Sequence, residues 1–305
     1  MRQEVRCVEK SKKGIVCILL SAFCFSLMSL FIRLAGDVPT MQKCFFRNLV
    51  AMLIAITALV RAHQPFRIGK GNLKYLFGRA IGGTCGLICN FYAVDHISIS
   101  DASMLNKLSP FFAIICSFFV LKEVASKLDW VTVAAAFVGM LLVVKPTMSM
   151  EVMPALVGAL GGFGAGFAYT FVRKLGQRGE NSMIIVLFFS AFSCLVTLPF
   201  FVFQYQPMSG LQWLFLICTG ISAAGGQIFI TKAYSYAPAK EISVYDFSIV
   251  LFTALWGFLF LDQIPDYLSV IGYVVIIGAS VVKWYITIER PRRLELHREH
   301  ELKGK

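Results

Sequence analysis

Ten long apolar runs, separated by short polar breaks, make up most of the chain. They fall at 14–34, 41–60, 75–94, 102–121, 128–145, 153–173, 182–203, 211–234, 242–261 and 267–287. Most approach the ~20 residues that carry a helix across a hydrocarbon core of about 30 Å. The runs are continuously apolar and lack the alternation of barrel strands. Lipid offers an unpaired backbone no partner, so helix is the form they must take. The fifth run is the shortest and stops at Lys145-Pro146. The pattern predicts ten transmembrane helices.

Composition agrees. Apolar residues are 57% of the 305 and charged residues 15%, and mean hydropathy is +0.72. A soluble domain carries roughly 45–50% apolar and about 25% charged residues. A soluble enzyme, a disordered chain and a secreted disulfide scaffold are therefore excluded. The nine cysteines are an odd number and, Cys7 apart, lie in or beside the runs. No CxxC or Cys/His cluster suggests a zinc site, and neither cofactor nor metal is expected. The first run is too long for a signal h-region, so no cleavable leader is expected.

The net charge of +12 is explained by where the cations sit. Arg2, Arg6, Lys10, Lys12 and Lys13 precede the first run, and Arg61, Arg67, Lys70 and Lys74 follow the second. Lys122 and Lys127, then Arg173, Lys174 and Arg178, then Lys240 mark the next even breaks, and the tail is basic. The odd breaks hold Lys145 alone. Short Lys/Arg-rich loops stay cytoplasmic, which puts both termini inside a cell membrane. The charge is topology, and no nucleic-acid partner is needed to explain it. The basic tail reads as a positive-inside flank of the same kind, with contact to anionic lipid headgroups the alternative.

The chain also repeats itself at an offset of 140. Laid over 154–285, residues 14–145 bring all five runs and their loops into register, with Arg33/Arg173, Gly36/Gly176, Gly86/Gly226, Asp101/Glu241 and Phe118/Phe258 among the matched pairs. Five helices is an odd number, so the second unit enters the membrane from the opposite face. The fold class expected is all-α integral membrane, with ten transmembrane helices as two inverted five-helix repeats. The parts are a basic cytoplasmic N-terminus (1–13), a first repeat (14–145), a second repeat (154–287) and a charged cytoplasmic tail (288–305).

Particular stretches carry a resemblance. Phe46-Arg47-Asn48-Leu49-Val50-Ala51, Ser109-Pro110-Phe111-Phe112 through Leu121-Lys122-Glu123, Gly139-Met140-Leu141-Leu142-Val143, Lys232-Ala233-Tyr234 and Ala237-Pro238-Ala239 resemble the drug/metabolite transporter superfamily, EamA type. The resemblance spans 14–287 and implies two five-helix repeats and transport of a metabolite or drug. Val250 stands where the family's second-half proline would be, and Asp262-Gln263 replaces the usual acidic helix end.

Ionisable groups inside a span cost roughly 2.5–3.5 kcal/mol each at a helix centre, so they face the bundle interior. In the fourth span Ser103, Asn106, Lys107 and Pro110 share a stripe, and the proline is a candidate kink. The mirrored positions in the ninth are Ser243, Asp246, Phe247 and Val250. Counting depth from the helix ends predicts an inner Lys232–Asp246 pair and leaves Lys107 too far out to reach Asp246. Its neighbours at that depth are Tyr92 and Arg47, with Asp95 and Asp101 nearer the mouth. Gly82-xxx-Gly86, mirrored by Ser222-xxx-Gly226, predicts close helix packing, and Gly158-xxx-Gly162-xxx-Gly166 does the same. Tyr92 lies about 200° from Asn90 and off that stripe, which makes it the better interior candidate.

These features predict a transporter, secondary or facilitative, for a small anionic or zwitterionic metabolite such as an amino acid. Neither P-loop nor nucleophile–base pair points to a pump or an enzyme. Tyr92, Asn106, Lys107 and Arg47 would meet the substrate from outside, and Lys232, Tyr245 and Asp246 from below. Asp246 is the candidate proton carrier, protons being the coupling ion considered. Translocation of a lipid or hydrophobic drug is the alternative, and self-association as a homodimer stays open.

Overall fold

The computed structural model describes residues 2–96, 105–145, 152–260 and 266–290. Every regular element among them is helical: α1 (Arg2–Leu34), α2 (Thr40–Arg61), α3 (Leu73–His96), α4 (Ser109–Leu121), α5 (Lys127–Val144), α6 (Val152–Gln177), α7 (Ser182–Phe203), α8 (Gly210–Tyr236), α9 (Ala239–Ile242), a 3-10 turn (Ser243–Phe247), α10 (Ser248–Phe260), α11 (Tyr267–Trp284) and a π-helical turn (Tyr285–Glu289) that continues it. Among the described residues, eight helical stretches are long and apolar enough to cross a membrane, α9 through α10 counting as one, and α4 is a shorter apolar helix. α3 has 24 residues but is more polar, carrying Lys74, Arg79 and Asn90. Asp101, Ser103, Asp262, Gln263 and most of the charged tail lie outside the described residues.

The surface is inverted relative to a soluble protein. Phe119 and Phe203 are 75% and 87% exposed, while Arg47, Arg79, Thr84, Ser193, Gln227, Asp246 and Lys283 are buried. Outward apolar side chains cost nothing against lipid, whereas polar ones must find partners inside. This is a multi-pass membrane protein.

Polar contacts sort the connections into two ends. Glu180 accepts from the Gly69 amide at 3.0 Å and from Asn72 at 2.8 Å. Lys240 donates to the Val124 carbonyl at 2.7 Å, Arg173 pairs with Glu123 at 3.0 Å, and Ser11 bonds Glu241. The N-terminal segment and the connections after α2, α4, α6 and α8 therefore share one end. At the other end Gln42 exchanges two 3.0 Å bonds with Gln206, Gln212 donates to the Ala35 carbonyl at 3.3 Å, and Lys145 meets Asp266 at 2.5 Å. The grouping matches the sequence's division of basic from nearly cation-free loops.

Small residues let the helices close on one another. A Cβ at Gly86 would stand 2.9 Å from the Ala165 amide and the Gly161 carbonyl, and one at Gly164 would stand 2.8 Å from the Gly82 carbonyl. α3 and α6 thus touch backbone to backbone along the Gly82-xxx-Gly86 stripe, and the Gly161 site reaches Asn90. Gly162 and Gly166 present another face of α6 to Leu105, Ser109 and Ala113 around the start of α4. The α1–α8 contact uses the positions 140 residues away: Ser21 donates to the Gly226 carbonyl at 2.9 Å, and Cys24 lies 3.0 Å from a Cβ placed at Gly225. Because backbone cannot yield as a flexible side chain can, Gly164→Val is expected to cost about 1–3 kcal/mol, the usual range for overpacking. Thermal unfolding in detergent should fall by several degrees, and an unchanged midpoint would show that α3 and α6 are not in such contact.

α5 and α11 pack antiparallel. Lys145 at the C-terminal end of α5 meets Asp266 at the start of α11, and Lys283 near the end of α11 pairs with Asp129 at the start of α5. Midway, a Cβ at Gly139 would stand 2.8 Å from the Gly272 carbonyl. Their N-caps, Ser126 and Asp266, are again 140 positions apart.

Candidate functional site

Two interrupted helices meet in the interior. The segment leading into α4 is helical at Leu105 and Asn106, turns at Lys107 and Leu108, and restarts at Ser109. Pro110, at the first turn of α4, has no N–H to return to the Asn106 carbonyl, so the helix breaks just before it. In the ninth segment the 3-10 turn Ser243–Phe247 separates α9 from α10 at the mirrored positions. That break forms with Val250 in place of proline, so here tight 3-10 winding provides the interruption.

The turns face each other. Lys107 Nζ donates to Asp246 Oδ2 at 2.9 Å, with side-chain exposures of 16% and 9%. This corrects two expectations: Asp246 takes Lys107, not Lys232, as its partner, and Lys107 is within its reach. The depth count assumed unbroken α-helices. The ninth segment instead starts at Ala239 and passes through a 3-10 turn, which rises about 2.0 Å per residue against 1.5 Å in an α-helix and carries Asp246 deeper.

The other expected residues scatter around this pair. Asn106 is half-buried at the same break, its carbonyl 3.4 Å from a Cβ placed at Gly162. Tyr245 is buried in the 3-10 turn, and its hydroxyl has no hydrogen-bond partner among the described residues. Arg47 is buried, with its Nε 3.3 Å from Met28 Sδ and an Nη 3.5 Å from Asn48 Oδ1. Lys232 is half-buried in α8 within electrostatic reach of Cys17 on α1. Tyr92 is exposed near the end of α3 and stacks on His96 with ring centroids 4.0 Å apart. The Asp95 side chain and Asp101 lie outside the described residues.

Sequence reasoning gave no role to Arg79, which the structure buries at 3% exposure. Its Nη2 donates to Gln227 Oε1 at 3.0 Å, and the guanidinium lies 4.0 Å from the Phe189 ring centroid. Gly83 makes room for it: a Cβ there would collide with Arg79 Nη1 and stand 2.8 Å from Phe189. Tyr169, stacked on Tyr234 with centroids 4.7 Å apart, lies within electrostatic reach of Arg47, Arg79 and Asp246. The available signal was an arginine inside an apolar run with a glycine one turn later on the same face.

Among these described residues the arrangement is cationic, with one carboxylate, Asp246, engaged by Lys107. Guanidinium and ammonium groups in such a setting are able to hold negative charge.

Comparison with known proteins places the chain among transporters. The model of the EamA-like transporter family matches it twice, at residues 12–145 and 152–284. The pseudopaline exporter CntI of Pseudomonas aeruginosa is 30% identical over 273 residues, covering 88% of this chain and 95% of that protein. Human solute carrier family 35 member G1 is 29% identical over 291 residues, covering 89% of this chain and 80% of that one. A crystal structure superposes with a TM-score of 0.79 at 14% identity, covering 93% of this chain and 99% of that one, a likeness of fold alone.

Proposed function

The chain belongs to the EamA-like transporter family, and we propose that it moves a small anionic or zwitterionic metabolite across the cell membrane by alternating access. The moving parts are two inverted five-helix units, residues 14–145 and 154–287, with both termini cytoplasmic. The antiparallel α5–α11 contact and the matched α3–α6 and α1–α8 contacts support that symmetry. One observation carries the reading: the Lys107–Asp246 pair joins a broken helix of one unit to the broken helix of the other.

Broken helices expose backbone dipoles only where they line a site, and a buried ionisable pair in a membrane is costly enough to imply use. A substrate carboxylate entering the interior competes with Asp246 for Lys107. The pair opens, the halves are released, and Asp246 accepts a proton when its cation leaves. Protons are thereby the coupling ion.

Counterflow in proteoliposomes tests this. Vesicles preloaded with a panel of amino acids and organic acids should accumulate labelled solute from the same panel, and the Lys107→Gln protein should accumulate none. The Pseudomonas relative is named an exporter, so outward movement is the direction to assay first. Scrambling of labelled phospholipid without solute exchange would replace this reading with lipid translocation.

A further inference from the structure

We infer that Arg47, Arg79 and Gln227 form an anion subsite beside the Lys107–Asp246 pair, and that the solute it takes is a small organic dianion. The inference rests on the transport reading for movement of the solute, though not for its binding.

Both guanidinium groups are more than nine-tenths buried. Neither makes an ion pair with a carboxylate among the described residues, and Asp246 is engaged by Lys107. Arg79 finds one neutral amide oxygen and an aromatic face, and its Nε is buried without a hydrogen-bond partner. Arg47 finds a thioether sulfur and a distant amide oxygen. Those are weak acceptors for a group that presents five donors. A buried lysine can shed its charge, but arginine stays protonated, so the positive charge persists in the interior.

Arg79 lies within electrostatic reach of Arg47, and Tyr169 within reach of both. Two buried like charges within reach of each other, with no carboxylate paired to either among the described residues, are an expense that helix packing alone does not explain. An incoming pair of negative charges would relieve it, each planar acid accepting from a guanidinium fork. Contributions from α2, α3 and α8, with Phe189 of α7 behind Arg79, place the subsite inside the bundle, away from lipid headgroups.

The site is one-sided. The positions 140 residues from Arg47 and Arg79 are Leu187 and Thr219, and the one opposite Gln227 is Leu87. A solute docked here is held by one set of charges, with no counterpart in the mirrored half to receive it.

Thermal unfolding and calorimetric titration of the purified full chain in detergent, at constant ionic strength, test the inference. Succinate and inorganic phosphate distinguish a dicarboxylate from a phosphoryl dianion, and glycine and lactate serve as zwitterionic and monoanionic comparisons. At least one dianion should raise the unfolding midpoint by several degrees, while the comparison solutes leave it in place. Arg79→Gln should weaken dianion binding on the order of 100-fold, and Arg79→Lys by about tenfold, because lysine keeps the charge and loses the fork. If Arg79→Gln does not fold, Arg47→Gln serves, and the solute comparison on the unaltered protein stands without either.

Dianion binding without counterflow would leave the subsite standing and remove the transport reading. Exchange of glycine or lactate that neither dianion inhibits would leave transport standing and overturn the subsite. Equal binding of dianions to wild type and both glutamine variants would overturn it as well.

Discussion

Asp246→Asn is expected to abolish counterflow and to lower stability by about 3–5 kcal/mol. The second effect follows from the first-order electrostatics of the interior. Lys107 and Asp246 are nearly buried and bond at 2.9 Å, and removing one member of such a pair leaves the other charge unmatched. The effects separate in the double variant Lys107→Gln/Asp246→Asn. Two amides of similar size hydrogen-bond across the breaks without net charge, so the unfolding midpoint should return close to wild type. Transport should not return, because a neutral pair neither attracts an acid nor exchanges a proton. Unfolding in detergent and counterflow in vesicles, run on the three proteins, decide the matter. Recovery of transport in the double variant would reduce the pair to a structural rivet.

The membrane fold was legible because its signals are local. The apolar runs overlap the described helices, apart from the breaks before α4 and α10, since a span must satisfy its backbone within itself. Ser126-x-x-Asp129 and Ser209-x-x-Gln212 close as capping boxes at the starts of α5 and α8, a local start signal that the sequence reading passed over. The Gly82-xxx-Gly86 stripe also showed itself as a contact because α-helical spacing fixes which residues share a face.

The charged interior was only half legible. Lys107 and Asp246 stood out as ionisable groups in apolar runs, but pairing them required the depth of each. Depth is lost once a helix breaks, and the 3-10 turn at Ser243–Phe247 carries no proline to announce itself. Arg79 drew no reading from the sequence at all. Its burial depends on Phe189 and Gln227 from distant helices and on space left at Gly83. Such information is non-local, and a single sequence does not contain it in readable form.

Removing one charge of the α5–α11 contact should cost as much stability as removing Asp246. Asp129 both accepts from the Ser126 amide at 2.7 Å in its capping box and neutralises Lys283, and both charged side chains are under a tenth exposed. Asp129→Asn keeps some capping but leaves an ammonium buried opposite an amide, so a loss of about 3–5 kcal/mol is expected. The pair at the other end behaves differently. Lys145 and Asp266 are 42% and 45% exposed, and water screens them, so Lys145→Gln should move the unfolding midpoint little. Lys145 together with the Ser269 hydroxyl and amide holds the Asp266 carboxyl down at about 2. A depressed carboxylate contributes above its unfolded value and loses that contribution as pH falls toward the folded one. The difference between Asp266→Asn and wild type should therefore be constant at neutral pH and shrink between about pH 4 and 2. Urea or thermal titrations of Asp129→Asn, Lys145→Gln and Asp266→Asn across that range give the comparison. A larger loss from Lys145→Gln than from Asp129→Asn would mean that the exposed end, not the buried one, holds the two helices together.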